Sequence, residues 1–243
     1  DSVLKNFESG LRVLLKTFFL SSWCWLPPAG QTAFQAGRVL MQFQKVHVSI
    51  VRSIRQVSLV RDWQRARGEN SIPRIADFVP NERAGDAVDI LINEVHRGGG
   101  RLSYLCQVAG DRAVQVFGEA LQARFLHECL DAPMARAVQP IWDACIHNRL
   151  PVYSIVPVMD PDGVPVTLEQ IFLPYGRRDG TEADVMVAAL HAWSTEGRFA
   201  HRGLLRNIAK TPLHWAVLVD PSMANAARPT VPPLHAGDEI VLD

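Results

Sequence analysis

Two β-rich runs, Pro151–Met159 and Val164–Pro174, flank the tetrapeptide Asp160-Pro161-Asp162-Gly163. An Asp-Gly pair readily supplies the backbone geometry of a tight hairpin, so the two runs are expected to return on each other as antiparallel strands. An isolated hairpin is at best marginally stable in water, and the rest of the chain must give it further strands or a covering helix. A second turn of the same kind, Gly176–Thr181, leads into Glu182–Trp193 and adds a third strand.

Upstream, Ala87–His96 and Arg101–Val108 lie on either side of Gly98-Gly99-Gly100. In the latter run Leu102, Tyr104, Cys106 and Val108 alternate with Ser103, Leu105 and Gln107, which predicts another strand, turn and strand. Between the two hairpins the pattern becomes helical. Asp111 is placed to cap a short helix over Asp111–Leu121, Gln122–Leu130 reads as a further short turn of helix, and Asp131–Arg149 is the longest candidate. Met134, Val138, Ile141, Trp142 and Cys145 form the apolar face of that longest helix, and Pro140 should kink it or shift its boundary. Before the first hairpin, Ser53–Gly68 predicts an amphipathic helix with Ile54, Val57, Val60 and Trp63 at steps of three. That stripe must pack on its own domain or serve as a dimer face. Ile72–Pro80, with two prolines, reads as an extended linker.

The order of helix, two strands, helical crossover and three strands resembles the PAS fold. Local phrases carry the resemblance further: Ile75-Ala76-Asp77-Phe78-Val79-Pro80 before the first strand, the glycine turn, Arg101–Val108, Val116-Phe117-Gly118, Phe172-Leu173-Pro174 and Asp179-Gly180. They occur in similar places in a group of largely uncharacterised bacterial PAS-like proteins, and the likeness covers residues 55–195. It implies an α+β fold, a five-stranded antiparallel sheet with crossover helices on one face, preceded by an amphipathic helix. It also implies a stand-alone, non-catalytic sensory or protein-interaction module that signals by small-molecule binding or dimerisation. The ligand pocket would lie between sheet and helices, lined by Leu102, Tyr104, Cys106, Phe117, Trp142, Tyr153, Ile155 and Phe172. The partner would be a second copy or a separate signalling protein. Two other readings stay open: a structural or dimerisation protein with a filled core, and an enzyme using His127, Glu128 or His147 as acid or base.

No motif requires a cofactor. The resemblance makes His147 a possible haem ligand, while its place near a helix end equally suits an exposed histidine that complements the helix C-terminus. Neither His127-Glu128-Cys129-Leu130 nor Ala144-Cys145-Ile146-His147 fits the cysteine motif of flavin-binding relatives. In a helix, residues two apart point about 200° away from each other, so neither His/Cys pair can chelate one metal ion unless the backbone there is extended. The sequence contains no GxSxG elbow, P-loop or dinucleotide fingerprint.

Lysine plus arginine and aspartate plus glutamate number 25 each, so overall charge predicts no attraction to nucleic acid. The balance is uneven along the chain. Between Ser9 and Arg61 there are no acids and seven bases: Arg12, Lys16, Arg38, Lys45, Arg52, Arg55 and Arg61. Within that stretch Leu11–Leu26 is strongly apolar but shorter than the ~20 residues of a spanning helix. Residues 1–52 therefore read as a basic, apolar extension: a membrane-proximal or signal segment, a packing helix, or non-native upstream sequence. Membrane contact is expected only if the extension is native. Residues 53–195 read as the PAS-like domain, and 196–243 as a C-terminal helix (Arg198–Lys210) followed by a loose tail in which Glu239–Leu242 could pair with Trp215–Val219. Four widely spaced cysteines (Cys24, Cys106, Cys129, Cys145) suggest buried thiols and a cytoplasmic setting.

Overall fold

The computed structural model of the chain describes residues 43–80, 86–177, 181–206 and 215–224. The apolar segment Leu11–Leu26, the Asp179-Gly180 turn and Glu239–Leu242 lie outside the described residues. The elements run in the order β1 (Lys45–Val46), α1 (Ile54–Arg67), β2 (Ile90–Gly98), β3 (Arg101–Ala109), α2 (Asp111–Phe117), α3 (Ala132–Asn148), β4 (Val152–Met159), β5 (Pro165–Tyr175), β6 (Val185–Trp193) and β7 (Trp215–Val219).

The sheet has seven strands in the order β1-β7-β4-β5-β6-β2-β3. Its antiparallel five-stranded part, β4-β5-β6-β2-β3, is the expected one. The two additional strands correct the expectation of five: β7 pairs antiparallel with β4, and β1 pairs parallel with β7. Both are short; Trp215–Val219 is expected as a strand only as a partner for Glu239–Leu242, and Lys45–Val46 lies in a segment that reads as extension. They protect β4, which would otherwise present an open row of backbone donors and acceptors. The folded unit thus reaches outside 53–195, with Val46, Val48, Ile50 and Val51 buried at one end and Val217, Leu218 and Val219 at the other.

The two hairpins form as their turns dictate. Gly99 and Gly100 take φ of +57° and +75°, the double positive-φ turn that suits strand twist. In the β4–β5 turn the Asp160 carboxylate accepts from the backbone N–H of Asp162 and Val164, and Gly163 takes φ of +81°. The other oxygen of Asp160 accepts from the Ala200 N–H at 2.8 Å, tying the segment after β6 to this turn. These bonds hold the Asp160 carboxyl below the usual range.

Asp131 caps α3 as expected, accepting from the Met134 N–H at 2.9 Å, and the helix continues through Pro140 to Asn148. Asp111 does not cap α2: Gly110 is the cap and Asp111 the first helical residue. A Cβ on Gly110 would lie 2.2 Å from the Ala87 carbonyl oxygen, which leaves that position to glycine. Among the described residues of Arg198–Lys210 the expected helix does not form. Its described part, through Arg206, is a turn that buries Leu204 and Leu205 and donates from Gly203 and Leu205 to the carbonyls of Gln115 and Val116 on α2.

Both faces of the sheet are covered. Residues paired across neighbouring strands point to the same side, so Leu91, Ala188, Phe172, Val152 and Leu218 share one face, and Ile90, Ala189, Ile171, Tyr153 and Val217 share the other. The helix α3 lies over the first face, where Trp142 meets Tyr104 edge to face at 5.3 Å. The helix α1 lies over the second. Its Gln56 side-chain amide donates to the carbonyls of Glu169 and Ala189, and its Trp63 Nε1–H donates to the Pro174 carbonyl at 2.7 Å.

That docking corrects the proposed dimer face. Ile54 is 87% exposed, whereas Val60 and Trp63 are fully buried against the chain's own sheet and Val57 is partly buried on the same core. Steps of exactly three drift around a helix of 3.6 residues per turn, so the four residues cannot share one face. The buried residues are Gln56, Leu59, Val60 and Trp63.

Candidate functional site

The eight residues expected to line one pocket fall on opposite sides of the sheet. Leu102, Tyr104, Cys106 and Phe172 point toward α3, on the side where Trp142 packs. Tyr153 and Ile155 point toward α1, and Tyr153 meets Trp215 there at 6.3 Å. Phe117 is buried on α2. One pocket cannot be lined by all of them, because the sheet itself lies between. Apart from the partly exposed Leu102, all are buried.

On the α3 side Tyr104, Cys106, Trp142 and Phe172 are buried. The Tyr104 hydroxyl donates to Asp143 Oδ1 at 2.7 Å, and the Gln139 amide donates to the same oxygen at 2.8 Å and to the Leu102 carbonyl. Burial is the main reason the Asp143 carboxyl lies above its ordinary range, opposed by those two hydrogen bonds and by His147. Burial likewise pushes the Cys106 thiol up to about 12, with Cys129 adding to the effect, and raises Cys145 well above the ordinary thiol value. These sulfurs are protonated and inert near neutral pH, as the sequence reading expected of buried thiols.

Among the described residues, four buried polar atoms on or against this face have no hydrogen-bond partner: Asn93 Oδ1, Ser154 Oγ, Gln170 Nε2 and Trp142 Nε1. Ser154 and Gln170 stand directly opposite each other on β4 and β5. The pocket assignment missed Asn93, Ser154 and Gln170, although each is a polar residue inside an apolar strand run, which is a visible signal. Such groups need partners in a finished core.

The opposite face holds a second polar group of residues beneath α1. Glu169 is 1% exposed, its Oε1 accepts from Trp193 Nε1 at 2.9 Å, and its Oε2 has no partner. Burial first, and the Glu169 carboxylate second, push the Tyr153 hydroxyl above the usual tyrosine range and keep it protonated. At the α1 N-terminus Arg112 contacts both oxygens of Asp89 at 2.9 Å and Arg55 approaches at 3.5 Å. Burial still leaves the Asp89 carboxyl above its usual range. The niche beside them, bordered by Gln56 and His191, has a volume of about 10 Å³, room for one water.

A larger concavity opens at the hairpin end of the sheet. It measures about 220 Å³ and lies between the C-terminus of α3, the β2–β3 hairpin and the start of β6, with His147, Arg149, Ile146, Leu102, Arg97 and Glu182 around it. His147, the histidine considered as haem ligand or catalytic base, is exposed here. His127 and Glu128 are exposed on a different element, the short turn Leu126–Cys129, where the His127 ring lies against Phe125. The three side chains considered for catalysis therefore sit on two separate elements. Among the described residues no helix is long and apolar enough to cross a membrane.

Comparison with known proteins gives one result. A family model described as PAS domain matches residues 51–190. No curated protein and no solved structure matches the chain.

Proposed function

The chain belongs to the PAS domain family, and from that premise we propose that it is a non-catalytic sensory module whose input is the open cleft beside the α3 C-terminus. The buried side chains under α3 carry this reading. Tyr104, Cys106 and Trp142 are buried where an enclosed ligand would sit, and the Tyr104 hydroxyl is bonded to Asp143, so a small molecule is best received at the mouth of that space. The cleft is well placed to report occupancy. One wall is the last turn of α3, whose Asp143 and Gln139 hold Tyr104 and Leu102 of β3, so a ligand that moves the helix end bears on the edge of the sheet. Output then passes by association with a second copy or a separate signalling protein.

The test is a thermal-shift screen of metabolites on the full chain, followed by hydrogen exchange on each molecule that raises the melting temperature. Protection concentrated at residues 97–102 and 146–149, and lost in Leu102→Trp, is the expected result. Protection of the strand interiors alone, or no stabilising molecule at all, would count against the cleft.

A second reading, an interaction module with a filled core and no ligand, is favoured by Ile54 and Val79, apolar residues left 87% and 79% exposed. It expects a change in native mass on addition of a partner and none with metabolites.

A further inference from the structure

The charges around the cleft point to a class of ligand, an inference that rests on the cleft being the input site. Arg97 is already engaged, donating to Asp184 Oδ1 at 3.2 Å and to the Ala183 carbonyl at 2.7 Å. That pair is neutral and fixes the floor of the cleft. Two formal charges remain. Arg149, just past the end of α3, and Glu182, before β6, both border the cleft, both are exposed, and neither forms an ion pair among the described residues. They stand farther apart than an ion-pair distance, so the cleft presents a free cation and a free anion that do not satisfy each other.

This arrangement discriminates between ligand types. A simple anion would meet Arg149 but also the repulsion of Glu182, and a simple cation would meet the reverse. A molecule with both charges a few bonds apart satisfies both walls at once. Partly exposed Leu102 gives the lining an apolar contact for a small hydrocarbon side chain, and exposed His147 supplies a further hydrogen-bonding ring. The volume of about 220 Å³ is below the ~300–1,000 Å³ typical of pockets for drug-sized ligands and suits a small metabolite.

We propose that the cleft binds a free α-amino acid with an apolar side chain, its carboxylate on Arg149 and its ammonium on Glu182. The experiment is calorimetric titration of the full chain with L-valine, with isovalerate, which lacks the ammonium, and with isobutylamine, which lacks the carboxylate. L-valine should bind at least about tenfold more tightly than either half, the factor expected when one charge-assisted contact is lost. Arg149→Gln and Glu182→Gln should each weaken L-valine by a similar factor while leaving the melting temperature of the free protein unchanged, since both side chains are exposed. The double variant should bind valine no better than the halves.

Equal binding of isovalerate and valine would overturn the proposal in favour of a plain anion site. Valine binding that ignores both substitutions would overturn it too. If another metabolite class protects residues 97–102 and 146–149 while valine does not bind, the amino-acid assignment falls and the cleft reading stands. If no ligand protects them, both fall.

Discussion

Asp143 shows how a single residue was legible in type but not in role. It lies among the apolar positions of the longest helix, where it receives the Tyr104 hydroxyl and the Gln139 amide in a partly buried site. Its carboxyl is raised, mainly by burial. The folded state therefore holds the proton more tightly than the unfolded chain, and the stability this contributes is present below the ordinary aspartate value, about 4, and lost as pH rises through the raised one. Asp143→Asn keeps an acceptor for Tyr104 and removes the charge. The variant should gain on the parent protein between about pH 3 and about pH 7, read as urea-unfolding free energies at several pH values. A difference between the two proteins that does not change with pH would refute the assignment. Asn93, Ser154 and Gln170 teach the complementary lesson: they were visible as polar letters in apolar strands, but only the fold shows that each is buried.

At the scale of elements, helices and hairpins were largely readable because their signals are local. Asp131 at the α3 cap, Gly68 after α1 and Gly99-Gly100 between β2 and β3 act through bonds or torsions within a few residues. What α1 packs against is not local information. Its four-residue stripe left both own-domain packing and a dimer seam open, and the bond from Trp63 to the Pro174 carbonyl decides for the sheet. Trp63→Ala should destabilise the fold by about 3–5 kcal/mol, as large core truncations do. Trp63→Phe keeps most of the packing but orphans a buried carbonyl, and about 1–3 kcal/mol is expected. Both are measured by chemical unfolding of the monomeric species. A Trp63→Ala protein that keeps its stability and loses only self-association would restore the dimer seam.

At the scale of the whole molecule, the sheet draws on segments before and after the stretch that carries the PAS pattern. The pairs Lys45 with Leu218 and Val46 with Val219 close the β4 side, and Val152–Ile155 pair with β7. A fragment of residues 53–195 would leave the outer edge of β4 open, apolar on both faces and ready to pair with another chain. It should melt at a lower temperature than a fragment of residues 43–224 and should self-associate with increasing concentration, as read by calorimetry and light scattering. Equal melting temperatures and a monomeric short fragment would show that β1 and β7 are ornaments to the sheet.

The division between sequence and structure follows from the range of the forces involved. Turn chemistry, capping and helical periodicity act over a few residues, and they were enough to establish two hairpins, a crossover with a long helix, and the PAS order of elements. Face assignment was beyond reach because every residue from Val152 to Val158 is buried, with α1 on one side of the sheet and α3 on the other. A strand covered on both faces loses the alternation that tells inside from outside. Only the register of its neighbours reveals that Tyr153 and Tyr104 lie on opposite sides, and that the accessible hollow is the cleft where α3 ends.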